Sequence, residues 1–392
     1  MKILVVPNTD WVRAPVAGRM NFIFDCIAAR HEVDVVHFRY DMFRDQQERT
    51  TQCALIDFGR LRSSNLAAEY VLHSPCHFAA FGRMLRRQRY DVAVLGNLLP
   101  AFMVSVLRGS TRCVVDLFDR FDESAKMHYV GQPLTSLVVG GMSRLLLART
   151  LKAADCIVAI AEDDVDHIRS VTDNQTALHI IPNGIETTVF HPMDKYEAKS
   201  RLGLEGRIVI GFTGLLERWI DLDTVVELMP QLHERLGNVH LLIVGGSYYC
   251  TYADELRRKA YTLGLSDSVI MTGMVPYENV PLHVGAMDVC LNPRHPLTMN
   301  KGAVSNKLLG YLACGRPVLS TNNPAVERQF RHVHEYTRNT FVDALTVLLR
   351  ELPSPNVVRA ETQGYDWNEI AARFEEVLEE TVRTNRSRSC PA

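Results

Sequence analysis

The chain has 392 residues, 47% of them hydrophobic and 22% charged, a balance that suits a soluble globular protein with room for two ordinary cores. Its formal net charge of -2 excludes bulk attraction to nucleic acid or to an acidic membrane, so any anion site has to be local. Nine scattered cysteines form no C-x-x-C pair and no Cys/His ligand spacing, which argues against a disulfide framework or structural zinc and for a reducing compartment.

Lys2 leads directly into a strand pattern at residues 3–6, after too short an apolar run for a signal peptide. Further β-branched runs at 33–38, 92–95, 113–116, 156–160 and 179–181 alternate with helix-length segments. That alternation predicts a parallel sheet with helices on both faces. The loop after the first strand lacks G-x-G-x-x-G and does not read as a dinucleotide site. In that loop Asp10 could hold a hydroxyl and Trp11 could stack on a sugar face beside Arg13; the plainer alternative is a surface loop with one partly buried indole. The basic run 82–89 is either a solvated helix face or a contact for anionic lipid headgroups. Asp119 and His128 lie at or beyond a strand end, where an aspartate can orient or deprotonate a hydroxyl, or simply cap a helix. Residues 134–151 come nearest to a membrane span, but Gly140, Gly141 and Arg144 interrupt them, and they read as a core-facing helix.

The Pro182-Asn183-Gly184 turn closes this first series, and the polar stretch 191–204 reads as a linker. A second series follows, with strands at 208–212, 240–244 and 269–272 and helices at 222–236, 252–263 and 278–286. It ends in one strand-loop-helix-strand unit over 289–319, whose loop carries Arg294, His295, Asn300, Lys301 and Gly302. Ligands of such sheets sit at the carboxyl ends of the strands. Ser305 can cap the short helix there, leaving the amides of Asn306 and Lys307 free to face an anion. Lys307 itself stands at the positive end of the helix dipole, a conflict that a bound phosphate would resolve. An ordinary helix start with a solvated lysine is the competing reading. Gly214 permits close backbone approach, and Arg218 with Lys307 would suit a diphosphate, although a lone arginine after a strand is more often a surface charge. Gly245-Gly246 reads first as a strand-to-helix turn and only second as a ligand loop. Finally, Trp367, Ile370, Phe374, Val377 and Leu378 make a helical stripe able to pack back on the first domain.

Several of these segments, taken in order, resemble one family. They are Pro182-Asn183-Gly184-Ile185 with Phe190 and Pro192, Gly214 with Glu217-Arg218, Leu242-Ile243-Val244-Gly245, Gly273-Met274-Val275, and the run from Asn306-Lys307-Leu308 through Gly310-Tyr311 to Gly315-Arg316-Pro317-Val318. Together they are similar to the GT-B glycosyltransferases, and most of all to the large family 4 type. The likeness covers most of the second half and is looser over the first.

The resemblance implies an α/β protein with two Rossmann-like domains facing a cleft. Residues 1–187 would form the acceptor side, 188–364 the nucleotide-sugar side, 365–383 a helix crossing back to the first domain, and 384–392 a polar tail. It implies transfer of a sugar from a nucleoside-diphosphate donor to a glycan, lipid-linked or small-molecule acceptor, with retention, no cofactor and no obligatory metal. Arg218 and Lys307 would hold the diphosphate, with Asp119 as the acceptor-side catalytic candidate. Gly214, Gly245, Gly273, Val275, Lys301, Gly302, Ser305 and Asn306 would surround the donor, and Asp10, Trp11, Arg13 and His128 the acceptor. Cysteine usage, net charge and the basic run lead to the expectation of a cytoplasmic location, or one at the inner face of the membrane, with no nucleic-acid partner. One departure stands out: the two glutamates that the family commonly spaces eight positions apart are Gly302 and Gly310 here. Donor contacts at those places then fall to backbone or to Asn300 and Asn306. The departure also supports an alternative, a GT-B-like subunit that binds nucleotide or sugar and assists a partner enzyme; an epimerase is a third possibility.

Overall fold

Runs of buried β-branched residues separated by amphipathic helices have one economical solution, a parallel sheet covered on both faces. The chain adopts it twice. The computed structural model describes all residues except 64, 120–128, 130–131, 173–175, 248–249, 296–303, 322–325, 327–328 and 387–392. Residues Met1–Asn183 with Trp367–Ala392 form one unit, and Gly184–Asp366 form the other.

The first unit contains β1 (Lys2–Val6), β2 (Glu32–Tyr40), β3 (Ala54–Leu61), β4 (Val92–Leu95), β5 (Arg112–Leu117), β6 (Cys156–Ala159) and β7 (Ala177–Ile180), in the order β3-β2-β1-β4-β5-β6-β7. Side chains alternate across each strand. Leu4 and Val6 therefore enter one core, with Phe81, Val104 and Leu147, while Ile3 and Val5 enter the other, with Phe24 and Phe374. The second core is completed by the C-terminal helix Trp367–Arg386, whose stripe of Trp367, Ile370, Phe374 and Leu378 is buried. Phe22 stacks on Trp367 at 5.0 Å, and Glu375 bonds the Nε2 of His31 at 2.7 Å.

The second unit contains β8 (Ile208–Thr213), β9 (Val239–Val244), β10 (Val269–Gly273), β11 (Val289–Asn292), β12 (Val318–Thr321) and β13 (Val333–Tyr336), in the order β10-β9-β8-β11-β12-β13. All pairings among these strands are parallel. Strand order reverses between the neighbours β8 and β11, which makes the crevice beyond their carboxyl ends the place where such a sheet takes a ligand.

The structure differs from the sequence reading at four places. Strands β3 and β13 were not anticipated: both are edge strands, and Asp57, Gly59 and Arg60 in one and His334 and Glu335 in the other dilute the apolar run that marks a central strand. The stretch read as a linker contains the helix Lys195–Arg201, capped by Asp194, which accepts from the Glu197 amide at 2.8 Å. Its Lys195 and Lys199 both reach Asp288, at 2.8 and 2.6 Å, so it belongs to the body of the second unit. The helix Pro133–Ala153 is not core-facing along its whole girth: Ser143, Leu147 and Leu151 are buried, but Leu134, Leu137, Val138, Met142 and Leu145 face solvent.

Candidate active site

Three glycines hold the ends of β8, β9 and β10 together. Gly214, Gly245 and Gly273 have φ of 131°, 148° and 73°, values that other residues seldom adopt. The Gly214 amide donates to the Val244 carbonyl at 2.9 Å and the Gly245 amide to the Gly273 carbonyl at 3.0 Å. A Cβ on Gly245 would lie 1.9 Å from the Gly214 carbonyl oxygen, so only glycine allows the two loops to approach this closely. Val275, beyond the third glycine, packs partly buried against the second unit's core.

Above this floor stands the helix Asn306–Ala313. Ser305 caps it, its hydroxyl accepting from the Leu308 amide at 3.4 Å. The helix is fixed to β8 by the buried Tyr311, whose hydroxyl accepts from the Thr213 amide at 2.7 Å. This anchorage brings Lys307 beside Gly214: a Cβ there would lie 3.5 Å from the Lys307 Nζ. The ammonium sits over the ring of Phe212, 4.6 Å from its centroid. Among the described residues it forms no ion pair.

Burial pushes the Lys307 ammonium down to about 7, with a smaller push from the Arg294 guanidinium. Arg294 is itself held below its usual range by burial. Its amide donates to the Thr321 hydroxyl at 2.8 Å, and it bridges to Ile220 in the loop after β8. Two desolvated cations and a helix N-terminus thus meet at the switch point of the sheet, an arrangement that stabilises a bound anion.

Arg294, which stood in the sequence without an assigned role, is the cation coupled to Lys307. Its only signal was a charge directly after a buried strand. Arg218 takes another course: its side chain is 64% exposed and pairs with Glu255 at 2.6 Å. Its neighbour Glu217 is buried instead, close to the Cys250 sulfur, and burial raises its carboxyl. Lys301, Gly302 and Asn300 lie outside the described residues. Gly310 meets Phe190, two of whose ring carbons would stand 3.2 Å from an added Cβ. Phe190 in turn packs edge-on to Tyr277 at 5.4 Å. A side chain at position 310 would therefore run into an aromatic ring.

In the first unit, the acceptor candidates at the first loop need correction. Asp10 is fully buried, and its carboxylate accepts from the Tyr40 amide at 2.9 Å and the Arg13 amide at 3.0 Å and bonds His37 Nε2 at 3.0 Å. Burial alone would raise its pKa, but these bonds outweigh it and hold the carboxyl below its ordinary value. Trp11 is 1% exposed and donates to the Thr51 hydroxyl at 3.0 Å, which leaves no ring face for a sugar. Arg13 pairs with Glu48 at 2.5 Å. These residues organise the loop instead of lining an open surface, and Asp10→Ala should cost the first unit about 3–5 kcal/mol in urea unfolding, because it orphans a buried histidine and the amides of Val12, Arg13 and Tyr40. Asp119 is partly exposed just past β5, and His128 lies outside the described residues. Asp116, at the end of β5, is buried against Arg19 at 3.1 Å.

Two family models match the chain. The model described as Glycosyl transferase 4-like domain covers residues 23–184, and the model described as Glycosyl transferases group 1 covers residues 207–351. The chain is 27% identical, over 257 residues, to GDP-mannose-dependent alpha-(1-6)-phosphatidylinositol monomannoside mannosyltransferase of Mycolicibacterium smegmatis, a match covering 60% of this chain and 65% of that one. It is 30% identical over 151 residues to D-inositol 3-phosphate glycosyltransferase of Acidothermus cellulolyticus, covering 36% and 32%. The chain thus spans less than two thirds of the length of either relative. Among solved structures, sucrose-phosphate synthase from Thermosynechococcus elongatus superposes with a TM-score of 0.73 at 17% identity, covering 97% of this chain and 99% of that one. Anabaena Alr3699/HepE in complex with UDP gives 0.70 at 16% identity, covering 97% and 100%. At such identities the superpositions speak for the fold alone. Two doubly wound units, each matched by its own glycosyl transferase model and together superposable on GT-B enzymes, make this chain a member of the GT-B glycosyltransferase family.

Proposed function

We propose that the protein transfers a hexose-type unit from a nucleoside-diphosphate sugar to a hydroxyl of a glycan, lipid-linked or small-molecule acceptor. The observation that carries this reading is the Lys307 ammonium, desolvated beside Arg294 and the start of the Asn306–Ala313 helix, with no carboxylate opposite it among the described residues. A pyrophosphate supplies the missing negative charge. As the sugar-phosphate bond breaks, charge accumulates on the departing nucleoside diphosphate, and preorganised cations and amides stabilise that charge more than they stabilise the ground state. On this reading the cations do the work that a divalent ion does elsewhere, and the transfer is retaining and metal-independent. The names of the mycobacterial and Anabaena proteins, with GDP-mannose in one and UDP in the other, support a nucleoside-diphosphate donor without choosing the base.

Titration calorimetry with UDP and GDP tests the site. Binding selects the protonated Lys307, so with a free-state value of about 7 the affinity should fall about tenfold for each pH unit between 7.5 and 9, with proton uptake visible in the buffer dependence of the heat. A pH-independent affinity over that range would remove Lys307 from the site. The packing of Phe190 against Gly310 favours one second reading, a nucleotide-binding subunit without turnover. Donor consumption across a panel of acceptors decides between them: nucleotide binding without any nucleoside diphosphate release supports the subunit.

A further inference from the structure

The helix Pro133–Ala153 is packed on one side only. Ser143, Leu147 and Leu151 fix it to the first unit's core, while the opposite side carries Leu134 at 78% exposure and Leu137 at 72%, followed by Val138, Met142 and Leu145. At 100° per residue these five fall on one stripe, and Arg149 and Lys152 continue it along the last turns, with Arg144 at its margin. Such a stripe at the surface of a water-soluble unit costs free energy unless something covers it.

The charge around it identifies the cover. The helices Ser74–Arg87, Leu99–Leu107 and Pro133–Ala153 contain no aspartate or glutamate. They lie on the same face of the sheet, the middle one touching the other two. Exposed Arg83, Arg86 and Arg87 on the first of them add to the cations of the third, and Phe78 and Val106 add apolar surface. Acidic side chains stand at the two borders of this face, with Glu69 on the helix Leu66–Leu72, paired with His73, and Asp163 and Asp166 on the helix Asp163–Val171. Self-association through this face would set one cationic surface, its three helices free of carboxylates, against another, which disfavours a dimer here.

We propose that this face docks on an anionic lipid bilayer, with the Pro133–Ala153 helix lying in the plane of the interface. From Leu134 to Leu145 the stripe is about 17 Å long, short of the hydrocarbon core of about 30 Å, and the buried side of the helix ties it to the protein. The helix therefore lies on the membrane and does not span it. The leucines, valine and methionine enter the boundary of the acyl chains while Arg149, Lys152 and the arginines of the neighbouring helix meet phosphate headgroups. The proposal concerns binding alone and does not depend on transfer activity or on the donor.

Flotation of the full-length chain with vesicles tests it. The protein should float with vesicles of phosphatidylcholine containing about 30% phosphatidylglycerol, an arbitrary but usual anionic content, and not with phosphatidylcholine alone. Raising the salt to about 0.5 M should release it. The triple variant Leu137→Gln, Met142→Gln, Leu145→Gln should lose more than tenfold in partitioning, and Arg144→Glu with Arg149→Glu at least as much, since each cation near the surface contributes about fivefold. Both variants should keep the wild-type thermal transition and nucleotide affinity, because every substituted side chain is exposed. Failure of the wild type to float with anionic vesicles overturns the proposal. So does sedimentation of the wild type as a dimer that the glutamine variant dissolves, which would assign the stripe to a second copy.

Discussion

Lys307→Met should lower turnover by about 10²–10³-fold, the range typical of losing one preorganised group that stabilises transition-state charge, while the second unit stays folded. The two effects separate because the ammonium is a burden to the free protein. It is desolvated, stands at the positive end of a helix dipole and is repelled by Arg294, all of which disfavour its charged form. Its folded value lies below its unfolded value of 10.5, so the unfolded chain binds the extra proton between the two and stability rises with pH across that interval. Methionine removes the burden, keeps an unbranched chain over Phe212, and should raise the melting temperature. The gain should be largest below pH 7 and shrink as pH climbs from 7 towards 10.5. Differential scanning calorimetry at pH 6 and pH 9, alongside a donor-consumption assay, reads both effects. A variant that loses activity and stability together would mean that Lys307 supports the fold instead of the ligand.

Gly245→Val should be the most damaging single change in the second unit. The added Cβ falls 1.9 Å from a backbone oxygen, which no rotamer can relieve, and a φ of 148° is outside the range of a β-branched residue. Overpacking and backbone strain together should cost about 3–5 kcal/mol, and the floor beneath Lys307 should be lost with them. The neighbour provides the control. An added Cβ on Gly246 comes nearest to the flexible Met274 side chain, at 3.4 Å, with the Met274 backbone at an ordinary 3.9 Å, and Gly246 is not among the positive-φ glycines, so Gly246→Ala should melt and bind nucleotide like the wild type. Thermal unfolding and UDP calorimetry on both variants check the contrast.

The architecture was legible because it is written in periodicity. Buried central strands such as Val92–Leu95 carry uninterrupted apolar runs, and the last helix carries a stripe at helical spacing. The site was legible only where local chemistry fixes it: Ser305 before Asn306 and Lys307 marks a capped helix start, and glycines at strand ends mark turns. What depends on tertiary direction was not legible. Glu217 and Arg218 are adjacent in sequence, yet one turns inward and the other outward to Glu255, and nothing local decides which. Asp10 and Trp11 look like ligand-facing residues by type, but partners 27 to 40 positions away, including His37 and Thr51, claim them both. The helix Pro133–Ala153 was read as core because its composition is apolar, whereas the direction of each leucine depends on which side meets the sheet.

The C-terminal helix has a consequence for how the chain is made. Trp367, Ile370 and Phe374 fill a core whose other walls, Phe24 and Ile27 among them, are synthesised more than three hundred residues earlier. A ribosome moving from the amino end will have delivered all of Gly184–Asp366 before it reaches them, so the inserted unit can complete its folding while the earlier one still waits for its closing piece. Nascent chains arrested before residue 367 should therefore recruit chaperones through the open face of the first sheet and yield a protease-resistant fragment only from the second.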